Sequence, residues 1–279
     1  PFHWTCGEPA ALLIHGFMGT PAEVKPLGET LCTAGWTVSA PLLPGFGSDI
    51  ATLFDRDKDA WLNAARRALN DLDGRHRPLL LVGHSMGATI ALQLASEAEI
   101  DGLILISPFW RLPFDSPLIR WLGSVLTIFI RRMRPFKDID FDDPEVRNGI
   151  HEIMPELNLD DPEIRERIRG TTVPTEVITR LGALGKAAFR AAPHVTAPVL
   201  VIQGIQDEVV RPRNTRRLLS RLAHLQGYHE LAGAHNLIRN DSPAWETITD
   251  TSYRFAERVA ADGTGAADLE RTENKNRHN

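Results

Sequence analysis

Two cysteines in 279 residues, Cys6 and Cys32, are too few for a disulfide framework, and neither sits in the paired Cys/His spacing of a zinc site. They read as two reduced, structural thiols. Long apolar runs are also missing. The longest, Trp121 to Ile130, is about half of the roughly 20 residues that a membrane-spanning helix needs, and Gly123, Ser124 and Thr127 interrupt it. No early segment joins a basic head to a long apolar stretch, so no secretion signal is visible and a cytoplasmic location is the default. The chain begins at Pro1 rather than Met, which leaves room for a removed segment. An excess of positive charge is absent as well: 31 Lys and Arg stand against 36 Asp and Glu, a net charge of -5. Nucleic-acid binding usually works through a basic face, and that class is set aside.

What remains is ordinary globular composition, 43% hydrophobic and 24% charged, in a chain long enough for two domains or for one with a large insertion. The order of elements favours the insertion. Short apolar runs at Ala10 to His15, Trp36 to Ala40, Pro78 to Val82, Gly102 to Ser107, Pro198 to Gln203 and Gly227 to Leu231 alternate with helical patterns. The helical patterns are Ala22 to Ala34, Lys58 to Leu72, Met86 to Glu97, Arg213 to Ala223 and Pro243 to Ala261, with Asp57 and Ser242 at N-cap positions. Such alternation predicts an α/β fold, a mostly parallel sheet with helices on both faces. From Pro108 to Ala197 the rhythm stops, and the interval is too long for a loop. Proline, charge and helical periodicity predict a helical cap there, inserted into a core formed by 1–107 and 198–261. The polar, glycine-bearing residues 262–279 are expected to be a disordered tail.

The chemistry is concentrated at Gly83-His84-Ser85-Met86-Gly87, between the buried-type run Pro78 to Val82 and a helical pattern. A strand that turns sharply into a helix drives the central residue toward positive φ, and small neighbours let the backbones pass closely. Ser85 at the apex would then present its hydroxyl to open space, beside the amides that open the helix. A serine hydroxyl is almost un-ionised at neutral pH, so it needs a histidine base, and the histidine needs an acid.

Of ten histidines, His235 in Ala232-Gly233-Ala234-His235-Asn236 lies just past the last strand, where a loop can carry it to the sheet's ligand-binding edge. His84 is given a packing role and His15 a part in shaping the oxyanion loop. Asp207 follows the strand Pro198 to Gln203, with Glu208 as its rival. It is preferred because it comes first and because Val209 and Val210 could shield its hydrogen bond. The order serine, acid, histidine is the one this architecture uses. The amides of Met86 and of Phe17, in His15-Gly16-Phe17-Met18-Gly19, are the expected oxyanion donors.

With these pieces in place the chain resembles the α/β-hydrolase family from about Pro1 to Val259. The segments Leu12 to Pro21, Leu43-Pro44-Gly45-Phe46-Gly47 and Gly83 to Gly87 look like those of bacterial carboxylesterases and monoacylglycerol lipases. The resemblance implies Ser85, Asp207 and His235 as the triad, Phe17 and Met86 as oxyanion donors, and no cofactor; no metal site is expected either. Phe46 departs from the histidine that many relatives carry in the Pro-Gly-x-Gly turn, and the interval read as a cap is longer than the small lids of the esterases most like it.

In the cap, Phe109, Trp110, Trp121, Val125, Leu126 and Phe129 are expected to line an acyl pocket, with an outer rim able to touch lipid surfaces transiently. The expected function is hydrolysis of lipid-like small esters, monoacylglycerols or medium-chain esters, through an acyl-enzyme. The alternatives are a lactone or carbon-carbon bond hydrolase on the same triad, and a non-catalytic lipid-binding module of the same fold. The oligomeric state is not legible.

Overall fold

The structure, a computed structural model, describes residues 1–111, 132–134, 136–144, 146–147, 150 and 157–276. Seven strands form one sheet: β1 Phe2–Trp4, β2 Ala10–Ile14, β3 Thr37–Ala40, β4 Leu79–His84, β5 Gly102–Ile106, β8 Val199–Gly204 and β9 Leu225–Leu231. Their spatial order is β1-β3-β2-β4-β5-β8-β9. All neighbouring pairs are parallel except β1 with β3. Two further short strands, β6 Arg132–Met133 and β7 Val173–Pro174, pair antiparallel outside it. Edge strand β1 has only three residues, too few to show alternation in sequence.

The central strands are apolar throughout because both of their faces are covered. In β2, Ala10, Leu12 and Ile14 join one core and Ala11 and Leu13 the other, the period-two alternation of a strand. The first core is closed by α2 Lys58–Asp73, α3 Met86–Ala95 and α5 Thr175–Ala191. The second is closed by α1 Pro21–Thr33 and α7 Trp245–Asn276. Asp57 caps α2 as its sequence position predicts, accepting the Ala60 amide at 2.7 Å.

Between β5 and β8 lie α4 Pro162–Gly170 and α5. Helix α5 packs on α3, and its Leu184 and Ala188 are fully buried in the first core. The last helix of the interval 108–197 is therefore part of the first core, packed outside α3. A short helix, α6 Pro212–Leu219, connects β8 to β9.

Two expectations are corrected. Helix α7 continues through the segment expected to be a disordered tail, as far as Asn276. Residues 262–276 carry Ala, Glu, Leu, Arg and Lys and no proline, so a helix already nucleated on the core can propagate into them. The cysteines are not reduced thiols: Cys6 and Cys32 form a disulfide, with Cα atoms 5.3 Å apart. They lie 26 positions apart in sequence and meet because the β1–β2 connection crosses the end of α1, where the Cys6 amide also bonds Thr37 Oγ1.

Closing a loop of this length stabilises the fold by about 3.5 kcal/mol in the chain-entropy account. The double variant Cys6→Ser/Cys32→Ser is expected to lose that amount in urea unfolding. Unfolding midpoints that coincide for parent and variant would show that the bond constrains nothing.

Candidate active site

The parallel sheet delivers four segments to one edge. Ser85 follows β4, Asp207 follows β8, His235 follows β9, and the turn containing Phe17 follows β2, all at carboxyl ends. Ser85 has φ 53° and ψ -113°, the strained conformation expected of the elbow. Glycine is required on both sides of it. A Cβ at Gly83 would stand 2.5 Å from the Ala88 backbone, and one at Gly87 would stand 2.0 Å from the Ile14 carbonyl oxygen. The Ser85 amide donates to Ile106 O at 2.9 Å, which fixes the elbow to β5.

The Ser85 hydroxyl lies 2.9 Å from His235 Nε2, and His235 Nδ1 lies 2.8 Å from Asp207 Oδ2. The carboxylate is almost wholly buried. Its Oδ1 accepts the amides of Val209 and Val210 at 2.9 and 2.7 Å, and Oδ2 also accepts Gln203 Nε2 at 3.0 Å. Burial alone would raise the Asp207 pKa. The hydrogen bond and charge of His235, with the Val210 amide and Gln203, outweigh burial and hold it below the ordinary carboxylate value. Because Nδ1 keeps its proton and donates it in a hydrogen bond to Asp207, Nε2 is left to accept from the serine hydroxyl. The rival Glu208 is exposed. Val209 is 49% exposed and contributes an amide rather than the apolar shield expected of it.

The family model described as Serine aminopeptidase, S33, matches residues 8–241. The chain belongs to this family of α/β-hydrolases. It is similar to the thermostable monoacylglycerol lipase of Bacillus sp. (strain H-257), 27% identical over 222 residues that cover 77% of this chain and 76% of that protein. A carboxylesterase of Bacillus subtilis (strain 168) is 30% identical over 105 residues, 37% of this chain and 43% of its own. In fold, the monoacylglycerol lipase of Paleococcus ferrophilus superposes with a TM-score of 0.67 at 19% identity, covering 93% of this chain and 98% of its own. The present hydrolase is carboxylesterase-like.

Met86 is the first residue of α3, so its amide has no partner within the helix. Phe17 is half-buried in the turn after β2, beside Met18, which has φ 65°. Its ring meets Phe46 and Trp61 edge-on, at 5.8 and 6.3 Å between centroids. His15 supports this turn as expected, with Nδ1 2.9 Å from Gly16 O and Nε2 accepting the Leu43 amide at 3.2 Å.

Of the expected acyl-pocket residues, Phe109 is buried and its amide reaches Ser85 O at 3.4 Å. Trp110 is half-buried between α5 and α6: its ring stacks on Phe189 of α5 at 4.2 Å and its indole N–H donates to Asn214 O at 2.7 Å. Trp121, Val125, Leu126 and Phe129 lie outside the described residues.

Sequence reasoning missed two supports of this hydrolase's site. Gln203, at the end of β8, bonds Asp207, Gly204 O and Val210 O through Nε2, while its Oε1 accepts Thr215 Oγ1. A polar residue closing a wholly apolar strand was the available signal. Glu23 in α1 was the other. One of its oxygens accepts the Gly16 amide at 2.6 Å, and the other lies 3.0 Å from His84 Nδ1, so His84 has more than the packing role expected of it. Nothing in the local pattern of α1 marks that carboxylate.

Burial alone would raise Glu23, but the charge and hydrogen bond of His84 and the Gly16 amide lower it to about 2. Burial alone would lower His84, yet Glu23, the His235 carbonyl and the charge of Asp207 raise it above its usual value. The depressed carboxylate contributes stability above its unfolded value of 4.5, lost as the pH falls toward about 2. The raised imidazole contributes below its unfolded value of 6.5, and that part is lost as the pH rises through its folded value. The pair is therefore expected to stabilise most between pH 4.5 and 6.5. Urea unfolding across pH should show Glu23→Gln losing most in that window, and a constant difference at every pH would refute the coupling.

Proposed function

We propose that this hydrolase cleaves carboxylic esters of lipid-like small molecules, foremost monoacylglycerols or medium-chain esters, through an acyl-enzyme on Ser85. The observation that carries the reading is the unbroken relay from Ser85 Oγ through His235 to Asp207, at 2.9 and 2.8 Å. Ser85 Oγ attacks the ester carbonyl carbon while its proton passes to His235 Nε2. Asp207 holds the imidazole by Nδ1 and stabilises its charged form. The tetrahedral oxyanion is held by the amides of Met86 and Phe17, at the positive end of α3. As the intermediate collapses, the leaving alkoxide takes the proton from His235. Water then attacks the acyl-serine, gives its proton to His235, and the acid departs as that proton returns to Ser85.

The substrate class rests on the lipase and esterase names carried by relatives and on the apolar cap sequence. Phe109 and Trp110 are the described members of the proposed acyl contacts; Trp121, Val125, Leu126 and Phe129 complete the set. Read from the sequence as 108–197, the cap is taken as the part before α5, because α5 packs on α3 within the first core. Its outer rim would make the transient contact with lipid surfaces. Disulfides are rare in reducing cytosol, so the Cys6–Cys32 bond favours an oxidising compartment over the cytoplasmic default. Among the described residues no helix is long and apolar enough to cross a membrane.

Turnover of para-nitrophenyl and glycerol esters of graded chain length tests the reading. Ser85→Ala should lose at least about 10⁴-fold in kcat, and adding His235→Ala should cost scarcely more, because the two act as one unit. A fluorophosphonate should label the parent and not the variant. Retained turnover in Ser85→Ala would end the proposal, and an unlabelled, inactive parent would point to the non-catalytic binding module.

A further inference from the structure

The Glu23–His84 pair takes no part in the chemistry just proposed, yet it touches three of the four segments that build the site. His84 Nδ1 faces the Glu23 carboxylate at 3.0 Å, and His84 Nε2 faces the main-chain carbonyl oxygen of His235 at 3.1 Å. Both partners can only accept, so a ring that satisfies both must carry a proton on each nitrogen. The second Glu23 oxygen accepts the Gly16 amide, one residue before Phe17. His84 itself precedes Ser85 in the elbow. One buried ion pair therefore ties the oxyanion turn, the elbow and the histidine loop together.

We propose that Glu23 and His84 are a charged positioning pair for the reaction, holding the Phe17 turn and the His235 main chain in register with Ser85 and releasing the histidine loop when His84 loses its proton. This rests on the serine-hydrolase reading above. A neutral His84 keeps its Nδ1 proton toward the carboxylate and turns a bare Nε2 lone pair on the His235 carbonyl, so attraction becomes repulsion. The groups around the pair favour the charged form. Asp207 is close enough to stabilise the His84 cation, and Glu23 faces it directly. Two further imidazoles stand near it. The His235 ring stands 5.1 Å from that of His84 between centroids, and His15, on which the N-terminal ammonium also acts, lies near both. Glu23 is 18% exposed and opens on a cleft of about 300 Å³ that Arg239 and Asp241 also line, with Arg239 bonded to Asp241 at 2.9 Å.

The test compares pH profiles of kcat and KM for the parent and Glu23→Gln with a para-nitrophenyl ester, Ser85→Ala supplying the background rate. Glutamine offers one acceptor where glutamate serves two donors, so kcat should fall about 10- to 100-fold, the usual cost of losing a group that orients others, with KM nearly unchanged. The alkaline limb of kcat should move to lower pH, because His84 has lost its counter-charge, and Glu23→Asp should return it part of the way. A merely structural glutamate would lower the amount of folded enzyme and leave the limb in place. Independently of any variant, nitrogen NMR of the parent at pH 7 should show His84 with both ring nitrogens protonated. A neutral His84 there, or a Glu23→Gln profile superposable on the parent's, would overturn the proposal. Retained turnover in Ser85→Ala would instead remove the serine-hydrolase reading, while the NMR result would still report on the pair.

Discussion

The backbone at Ser85 holds φ 53° because α3 leaves β4 at a distance that only glycine at 83 and 87 permits. A side chain at either position would collide with backbone, which cannot move aside as a flexible side chain can. Positive φ in a non-glycine residue costs of order 1 kcal/mol or more, and it persists when surrounding structure over-determines it. Here the over-determination is visible: the Ser85 amide is bonded to β5, its carbonyl accepts the Thr89 hydroxyl and amide, and α3 is buried along its whole length. The strain is thus supported by a helix with every residue buried. The direction of one hydroxyl follows from packing far larger than itself.

Once the elbow is fixed, charge alternates outward from it. Asp207 is held below the ordinary carboxylate value, the His235 ring lies between it and Ser85, His84 is pushed above its usual value, and the depressed Glu23 carboxylate stands behind it. Two buried carboxylates on one side of a reaction centre would repel each other, and each would be costly without a partner. Interleaving imidazoles gives each buried carboxylate a ring nitrogen to bond and so fills its lone pairs. The arrangement also explains how a loop carrying a histidine can stay in place at a sheet edge with its side chain 19% exposed. Its ring is tethered by Asp207 and its main chain by His84.

Local rules made much of this legible. Alternating apolar runs and helical patterns gave the parallel sheet within a residue or two at most ends, because burial on both faces writes an unbroken apolar run into each strand. Ser85, Asp207 and His235 could be named because each stands just past a strand, and parallel strands bring such positions to one edge. What stayed hidden depends on approach in space. Cys6 and Cys32 carry no periodic signal of their meeting. Glu23 looks like any first-turn acid of a helix, where a negative charge suits the helix dipole in any case. Trp110 carries no local sign of the ring it stacks on, Phe189, 79 residues further on. The continuation of α7 was hidden for another reason: polar composition resembles disorder until a preceding turn is anchored.

Phe46, the departure from the histidine expected in its turn, bears on the same electrostatic pattern. His15 needs one protonated and one bare nitrogen, since it meets a carbonyl oxygen at Nδ1 and an amide donor at Nε2. Burial lowers its pKa and so favours that neutral form, against a smaller upward pull from the Gly16 carbonyl and Glu23. The fully buried Phe46 ring packs edge-on against His15 at 5.2 Å and contributes to that burial without adding a titrating group. Two histidines on either side of the Phe17 turn are therefore pushed in opposite directions, His15 toward neutrality by apolar walls and His84 toward charge by Glu23. A histidine at position 46 would bring a polar edge to a wall that also includes Phe17 and Trp61. With phenylalanine there, the neutral tautomer of His15 is maintained by desolvation, and the turn that presents the Phe17 amide is held without a second buried charge.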